Sequence, residues 1–235
     1  MNVDLLRYTK DGVKLIAESC RVSGVPPQLS DEEIVRMVAE NDYSSVLEHI
    51  SFTFDLREIT LALSRELLEH RIASHTARST RYQEEGDFQY YIPREFKKDK
   101  KALELYEDAV EKQRKAYREL RRMGVTRESA RYVLPMSAHT NYILTMNARS
   151  LINFLGLRLC VRASPEMREL ADKIYDIVVK IYPEIFTDIG CRGVNMNVCP
   201  ENEVRDSPQG KLCPYKMKGS KAYIPTKKDV MEKKG

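Results

Sequence analysis

Residues 69–82 gather side chains that bind anions. Two of the four histidines in the chain and three arginines, Arg71, Arg78 and Arg81, lie within this stretch. A guanidinium presents a fixed fork of N–H donors that matches phosphate oxygens, and neighbouring serine and threonine hydroxyls can share the same oxygens. The sequence shows no partner base for Ser79, and an unactivated serine is a poor nucleophile, which disfavours a nucleophilic role for Ser79. The stretch therefore predicts a phosphate-binding site.

Four blocks of sequence, taken in order, resemble the flavin-dependent thymidylate synthase family. The usual signature of that family is R-H-R, seven residues, and then S-x-R-Y, whereas residues 69–82 read E-H-R, seven residues, and S-T-R-Y. The block S-V-L-E-H precedes it at 45–49. The blocks A-R-Y-V-L-P at 130–135 and N-A-R-S-L-I-N-F-L-G-L-R at 147–158 follow it. The chain is thus similar to this family over most of its length, with Glu69 in place of the first arginine.

The resemblance implies an FAD site and a dUMP site that share one region. Arg71 would neutralise the flavin pyrophosphate, His70 would lie beside the ring or its phosphate chain, and amide groups suit the ring edge. An arginine that donates to the uracil ring stabilises negative charge as C5 becomes nucleophilic, which makes Arg158 the predicted catalytic residue. The predicted cofactor contacts are Ser45, His70, Arg71, Ile72, Asn147, Arg149, Asn153 and Arg162. The predicted substrate contacts are Arg78, Ser79, Arg81, Arg131 and Arg158.

The resemblance also implies a reaction and an assembly. NADPH would reduce FAD, methylenetetrahydrofolate would supply the carbon, and dUMP would be methylated at C5 to dTMP. Because flavin N5 supplies the hydride, no cysteine nucleophile is expected, and Cys160 is interpreted as a buried structural thiol. The family is homotetrameric, with active sites at subunit interfaces. His75 has no counterpart in the family signature and is expected to be exposed.

Five positions depart from the family pattern, among them Ala77, where many members have glutamate, and Arg78, where many have an apolar residue. Glu69 replaces an arginine, Glu66 replaces a common glutamine and Tyr43 replaces a common histidine. A unit charge about 4 Å from a phosphate is worth about 4 kcal/mol at an effective dielectric of 20, so reversing its sign matters. We hypothesise that Arg78 or Arg65 supplies the missing cation. An alternative is a related flavoenzyme that modifies C5 of another pyrimidine nucleotide, such as UMP.

Composition limits the other possibilities. Charged residues make up 31% of the 235 residues, and no apolar run approaches the roughly 18 residues that a membrane span needs, so we expect a soluble, cytoplasmic protein without a membrane partner. The net charge is +4, but residues 216–235 hold seven lysines against two acidic residues, which leaves 4 − 5 = −1 elsewhere. A nucleic-acid-binding protein that uses this end is a further alternative, disfavoured by the nearly neutral body. Three cysteines without C-x-x-C pairing, Cys191, Cys199 and Cys213, do not predict a metal site.

The apolar pattern predicts an α+β fold in which helices pack on a small, mostly antiparallel sheet. Strands are predicted at 3–8, 50–56 and 88–92, and 141–145 is either a strand or a helix start. A capping box formed by Ser30 and Glu33 predicts a helix that ends by Asn41. Further helices are predicted at 13–20, 59–68, 103–120, after Thr126, at 149–157 and at 167–181. Residues 1–190 would form the catalytic domain, and 191–235 a cysteine-containing loop and lysine-rich tail.

Overall fold

The computed structural model describes residues 1–41, 43–201 and 204–232. Four strands form an antiparallel sheet in the order β1-β2-β4-β3, and the predicted α+β class is confirmed. The strands are β1 (Asn2–Tyr8), β2 (Ser51–Thr60), β3 (Ser74–Ala77) and β4 (His139–Asn147). The α-helices of the described residues are α1 (Gly12–Val22), α2 (Asp31–Glu40), α3 (Leu61–Leu67), α4 (Lys100–Arg122), α5 (Arg127–Ala130), α6 (Ala148–Arg158), α7 (Pro165–Ile181), α8 (Pro183–Phe186), α9 (Arg192–Met196) and α10 (Lys227–Glu232). Short 3₁₀ helices cover Ser44–His49, Phe96–Lys98 and Arg131–Val133.

The chain divides into two compact units. Unit 1 comprises Met1–Asp4 and Phe54–Leu144, and unit 2 comprises Leu5–Thr53 and Thr145–Gly235. The predicted boundary at residue 190 separates a catalytic domain from a loop and tail, and this functional division stays a prediction. The compact units are divided elsewhere, because the described residues beyond 190 group with unit 2.

Strand β2 runs further than its alternating pattern predicted. Phe54 and Leu56 are buried, but the next two residues are both exposed. The second of them, Glu58, has a φ of 58°, and its N–H donates to Asn141 Oδ1 at 3.4 Å. This local break in the alternation, typical of a β-bulge, turns Ile59 back into the core. The prediction that Ile59 belongs to a helix is therefore wrong.

In unit 1, helix α4 follows the predicted amphipathic pattern. Val110 and Tyr117 are its buried residues, and Val110 packs with Phe88 and Ala138 in one apolar cluster. The strand predicted at 88–92 is wrong, because pairing there is limited to a single bridge between Tyr90 and Ala138. The partner segment turns just before that bridge, where the Ala138 N–H donates to the Pro135 carbonyl at 3.0 Å. The segment is held by buried Phe88 and by two backbone hydrogen bonds, from the Tyr91 N–H to the Ser137 carbonyl at 2.9 Å and from the His139 N–H to the Gln89 carbonyl at 2.8 Å.

In unit 2, the predicted start of α2 is confirmed by its capping box. The Ser30 hydroxyl accepts the Glu33 N–H at 3.2 Å, and the Glu33 carboxylate accepts the Ser30 N–H at 2.8 Å. Such a reciprocal pair satisfies two backbone donors that a helix end would otherwise leave without partners. Helix α2 packs on α1 and α8. The other predicted helices 13–20, 149–157 and 167–181 correspond to α1, α6 and α7, and residues 141–145 lie in strand β4.

The lysine-rich end is partly tied down rather than a simple solvated tail. The Cys199 N–H donates to the Pro225 carbonyl at 2.8 Å, and the Asp206 carboxylate accepts the Cys213 N–H at 2.7 Å. Arg205 is buried, and its Nη1 donates to the Ile224 carbonyl at 2.9 Å. Among the described helices, none combines the length and apolar character that crossing a membrane requires.

Candidate functional site

In unit 1, the predicted cofactor residues occupy the connection between α3 and β3. Thr60 is the N-cap of helix α3, and its hydroxyl accepts the Leu63 N–H at 2.9 Å. After the helix, the His70 N–H donates to the Leu67 carbonyl at 3.0 Å, and His70 is buried. Arg71 and Ile72 are exposed, and no carboxylate within the described residues forms an ion pair with Arg71. The connection therefore presents an unneutralised guanidinium to a ligand.

His75 holds this connection in place, which corrects the expectation that it is exposed. It is half-buried in β3, and its Nε2 lies 3.0 Å from the His70 carbonyl oxygen. Because that oxygen can only accept, Nε2 carries the proton, and in the neutral ring Nδ1 accepts from the Tyr142 hydroxyl at 3.0 Å. The two rings also pack edge to face with centroids 5.9 Å apart. His75 thus ties the backbone of His70 to strand β4.

Arg78 is committed to a buried carboxylate. Its Nε donates to Glu85 Oε1 at 3.0 Å, and the Glu85 side chain is only 7% exposed. Glu85 is further fixed through its backbone, since its N–H donates to the Tyr117 hydroxyl at 3.2 Å. A buried charge must be paired to remain charged, so Arg78 and Glu85 form a locally neutral unit. This arrangement weakens the prediction that Arg78 contacts substrate or replaces the cation missing at residue 69.

Ser79 and Arg81 lie in a tight turn. The Ser79 hydroxyl accepts the Arg81 N–H at 3.3 Å, and the Ser79 carbonyl accepts the N–H of Gln83 at 3.1 Å. The Arg81 guanidinium pairs with Glu128 at 3.1 Å and lies 5.6 Å from the ring centroid of Tyr82. Both members of the Arg81–Glu128 pair are about half exposed, so a bound anion can displace the carboxylate.

Arg131 lies close in sequence to Glu128 but belongs to the 3₁₀ helix that follows α5. The single turn of α5 ends at Ala130, which is fully buried. The Arg131 guanidinium lies 5.5 Å from the ring centroid of the exposed Tyr132. Stacking of this kind orients a guanidinium while leaving its edge donors accessible.

In unit 2, the side-chain oxygens of the two predicted asparagines, Asn147 and Asn153, already accept hydrogen bonds. Asn147 is the N-cap of α6, where its Oδ1 accepts the Ser150 N–H at 2.8 Å. Asn153 Oδ1 accepts from Arg192 of α9 at 3.1 Å. Because each amide oxygen is engaged, each NH2 group is the part left to meet a ligand. This end and face of α6 therefore offer hydrogen-bond donors.

Arg149 and Ser45 belong to the same part of unit 2. Arg149 pairs with Glu48 at 2.5 Å, and Glu48 lies in the 3₁₀ helix that also contains Ser45. Ser45 and His49 line an open cavity of about 420 Å³ together with Ser19, Val22, Ser23 and Val46. The walls combine hydroxyl and imidazole groups with two valines, a mixture suited to a ligand with both polar and apolar faces.

Arg158 and Arg162 have different surroundings. Arg158 is half-buried at the last position of α6. Arg162 Nη1 donates to the Val204 carbonyl at 2.8 Å, and its Nε pairs with Glu201 at 3.2 Å, so this guanidinium anchors the C-terminal segment. Burial raises the pKa of the intervening Cys160 thiol, which makes it a weak nucleophile at neutral pH. Within the described residues, no three His, Cys, Asp or Glu side chains gather as a metal site.

The predicted residues thus fall into two groups. Unit 1 holds His70, Arg71, Ile72, Arg78, Ser79, Arg81 and Arg131, and unit 2 holds Ser45, Asn147, Arg149, Asn153, Arg158 and Arg162. Sequence reasoning missed the partners of these residues. Glu48 was visible within the S-V-L-E-H block, whereas nothing in the sequence indicated that Glu85 would contact Arg78 or that Arg192 would contact Asn153.

Comparison with known proteins assigns the family. Residues 4–184 match the family described as thymidylate synthase complementing protein. The chain is 38% identical over 219 residues to the flavin-dependent thymidylate synthase of Sulfurisphaera tokodaii, covering 88% of this chain and 83% of that protein. It is 40% identical over 203 residues to the same-named protein of Saccharolobus solfataricus, covering 81% and 77%. The corresponding values for Clostridium tetani are 35% over 227 residues, covering 86% and 91%. The chain therefore belongs to the thymidylate synthase complementing protein family, whose similar curated members are named flavin-dependent thymidylate synthases.

Proposed function

We propose that the protein catalyses the reductive methylation of dUMP to dTMP, with FAD as cofactor, methylenetetrahydrofolate as carbon donor and NADPH as reductant. The observation that carries this proposal is the family match across residues 4–184, together with relatives named for this activity over most of their length. The residues of the four sequence blocks supply a donor set that suits two anionic ligands. The alternative functions lack comparable support.

The donor set of unit 2 fits a flavin. The amide NH2 groups of Asn147 and Asn153 can donate to the acceptor atoms along the edge of an isoalloxazine ring. Ser45 lies in the wall of a cavity roomy enough for part of such a ligand. In unit 1, Arg71 provides an exposed cation for a pyrophosphate, and the neighbouring His70 is held by His75. When bound, the flavin would supply the hydride that reduces the transferred carbon to a methyl group.

Ser79, Arg81 and Arg131 are our proposed ligands of the dUMP phosphate and sugar. The phosphate would compete with Glu128 for the Arg81 guanidinium, which the exposed pair permits. Arg158 would donate to the uracil ring and stabilise the negative charge that develops as C5 attacks the carbon donor. Arg162 already binds the C-terminal segment, so a role as a flavin contact requires its guanidinium to bind that segment and the flavin at the same time.

The substitution at residue 69 favours one candidate for a compensating cation. Arg78 is neutralised by buried Glu85, whereas Arg65 lies exposed on α3, four residues before Glu69. Arg65 is therefore our preferred replacement for the arginine of the family signature. Because Glu69 is exposed and carries the opposite charge, a preference for a different pyrimidine nucleotide such as UMP remains the second candidate function.

The predicted arginines come from distant segments of the chain, and we propose that they act together in a homotetramer with active sites at subunit interfaces. A reaction that draws on NADPH, folate and nucleotide pools also fits the cytoplasm. The assembly is tested directly by the mass of the purified protein in solution. A monomer at working concentrations would contradict the shared-site arrangement.

Flavin content and nucleotide choice test the proposed reaction. Purified protein incubated with FAD and desalted should show the absorbance of bound flavin. With NADPH and methylenetetrahydrofolate, it should then convert dUMP to dTMP. Conversion of UMP in preference to dUMP would favour the second candidate, and a protein that retains no flavin would refute both.

A further inference from the structure

We propose that Arg192, outside the family match, is a positioning residue that sets the Asn153 amide as a hydrogen-bond donor toward the flavin. This inference rests on the proposed function. Arg192 is the first residue of α9, in the segment beyond residue 184. Its Nη2 donates to Asn153 Oδ1 at 3.1 Å across 39 residues of sequence. The C-terminal segment would thus contribute to the cofactor site through α6.

A glycine of α6 lies where α9 packs against it. Gly156 is buried on α6, three residues after Asn153 and hence on the same face. A Cβ at Gly156 would lie 3.1 Å from Asn195 Nδ2 and 4.0 Å from the backbone of Arg192. The side chain of Asn195 is itself fixed, because its Oδ1 accepts the Gly190 N–H at 2.7 Å. A Cβ at Gly156 would therefore crowd the Asn195 amide, while the Arg192 backbone would stay at an ordinary van der Waals distance.

The chemistry of the guanidinium decides which way the amide points. A guanidinium donates hydrogen bonds and cannot accept them, so Asn153 must face Arg192 with its oxygen. Its NH2 group then faces the remaining direction. Asn147 reaches the same state independently, because its oxygen caps the helix at Ser150. Without Arg192, the Asn153 amide could rotate and present an acceptor as readily as a donor.

A pair of donors oriented by hydrogen bonds matters most where a ligand accumulates negative charge. The flavin ring accepts hydrogen bonds at its edge, and donors held in place need no reorganisation when the ring becomes reduced. A single hydrogen bond of this kind contributes about 1 kcal/mol, which corresponds to about a fivefold change in affinity. The amide of Asn153 should therefore bind flavin several-fold more weakly when its orientation is lost.

Titration of the full-length protein with FAD tests this proposal. We expect Arg192→Met to weaken FAD binding about three- to tenfold and to shift the visible spectrum of the bound flavin. Arg192→Lys should recover part of the affinity, because an ammonium is also a pure donor. Arg36→Met removes an exposed arginine from α2 and serves as the matched control, with affinity unchanged. Thermal unfolding of each variant shows whether the fold is intact.

A double-variant cycle separates positioning from a simple charge effect. If Arg192 acts through Asn153, Arg192→Met should have no further effect on FAD affinity in an Asn153→Ala background. The same loss in both backgrounds would show a direct charge effect and overturn the proposal. If the wild-type protein binds FAD and every Arg192 variant binds it equally well, the proposal is overturned. The proposed function then stays intact. Wild-type protein without FAD binding would overturn both.

Discussion

Replacing Arg78 should destabilise the protein far more than it weakens nucleotide binding. The Glu85 side chain is 7% exposed, and Arg78 is its ion-pair partner at 3.0 Å. Removing one partner of a fully buried pair costs about 3–5 kcal/mol. Because the Arg78 side chain is 37% exposed, solvent screening reduces this cost, and we expect about 2 kcal/mol for Arg78→Met. For a chain of this length, that corresponds to a fall in Tm of about 4–8 °C.

Thermal unfolding of three variants isolates the cause. Arg81→Met is the matched control, because its pair with Glu128 is exposed on both sides and should cost less than about 1 kcal/mol. The double variant Arg78→Met/Glu85→Gln should recover most of the lost stability, since no charge then remains buried. The reasoning would be refuted if Arg78→Met unfolded at the same temperature as Arg81→Met while losing as much nucleotide affinity. That result would restore Arg78 to the substrate site.

Three further outcomes follow from the described contacts. Glu128→Gln should raise dUMP affinity by up to about fivefold at low salt, because it removes the carboxylate that pairs with the Arg81 guanidinium. A calorimetric titration that shows no gain in affinity would contradict this competition. Tyr142→Phe should lower the free energy of unfolding by about 1 kcal/mol, measured by denaturant titration, since it leaves His75 without its hydroxyl partner. The Lys218 ammonium holds the pKa of Asp229 well below its ordinary value. The Asp229 carboxylate therefore stabilises the fold fully above its unfolded-state pKa of about 3.9, and this stabilisation decreases as the pH falls below that value. NMR spectra recorded from pH 6 to pH 2 should show the residues around Asp229 losing order before the core does.

Local signals in the sequence predicted much of the fold. The capping box at Ser30 and Glu33 fixed the start of α2, because both partners lie within one helical turn. Regular apolar spacing likewise predicted α4 and α7, each of which has a single buried stripe. These predictions succeed because the interactions that decide them lie within a few residues of each other. The resemblance to a known family located the four sequence blocks that contain the predicted site arginines.

Other features depend on contacts that are remote in sequence. Strand β3 is short and almost entirely exposed, so its residues have no alternating apolar pattern to reveal it. The extension of β2 depends on the positive φ of Glu58, an unusual conformation for a residue with a side chain. Likewise, nothing local shows that Glu85 is buried or that Arg192 reaches Asn153. Such partners decide which arginines remain available to ligands.

Release of tritium from dUMP labelled at C5 is the most direct measurement of the proposed reaction. Methylation at C5 must expel that hydrogen, so we expect release that requires protein, FAD, NADPH and methylenetetrahydrofolate together. Arg158→Lys should reduce the rate by about a hundredfold while the bound flavin remains, because a lysine cannot reproduce the fork of a guanidinium at the uracil ring. Flavin-loaded wild-type protein that releases no tritium from dUMP under these conditions would contradict thymidylate synthesis.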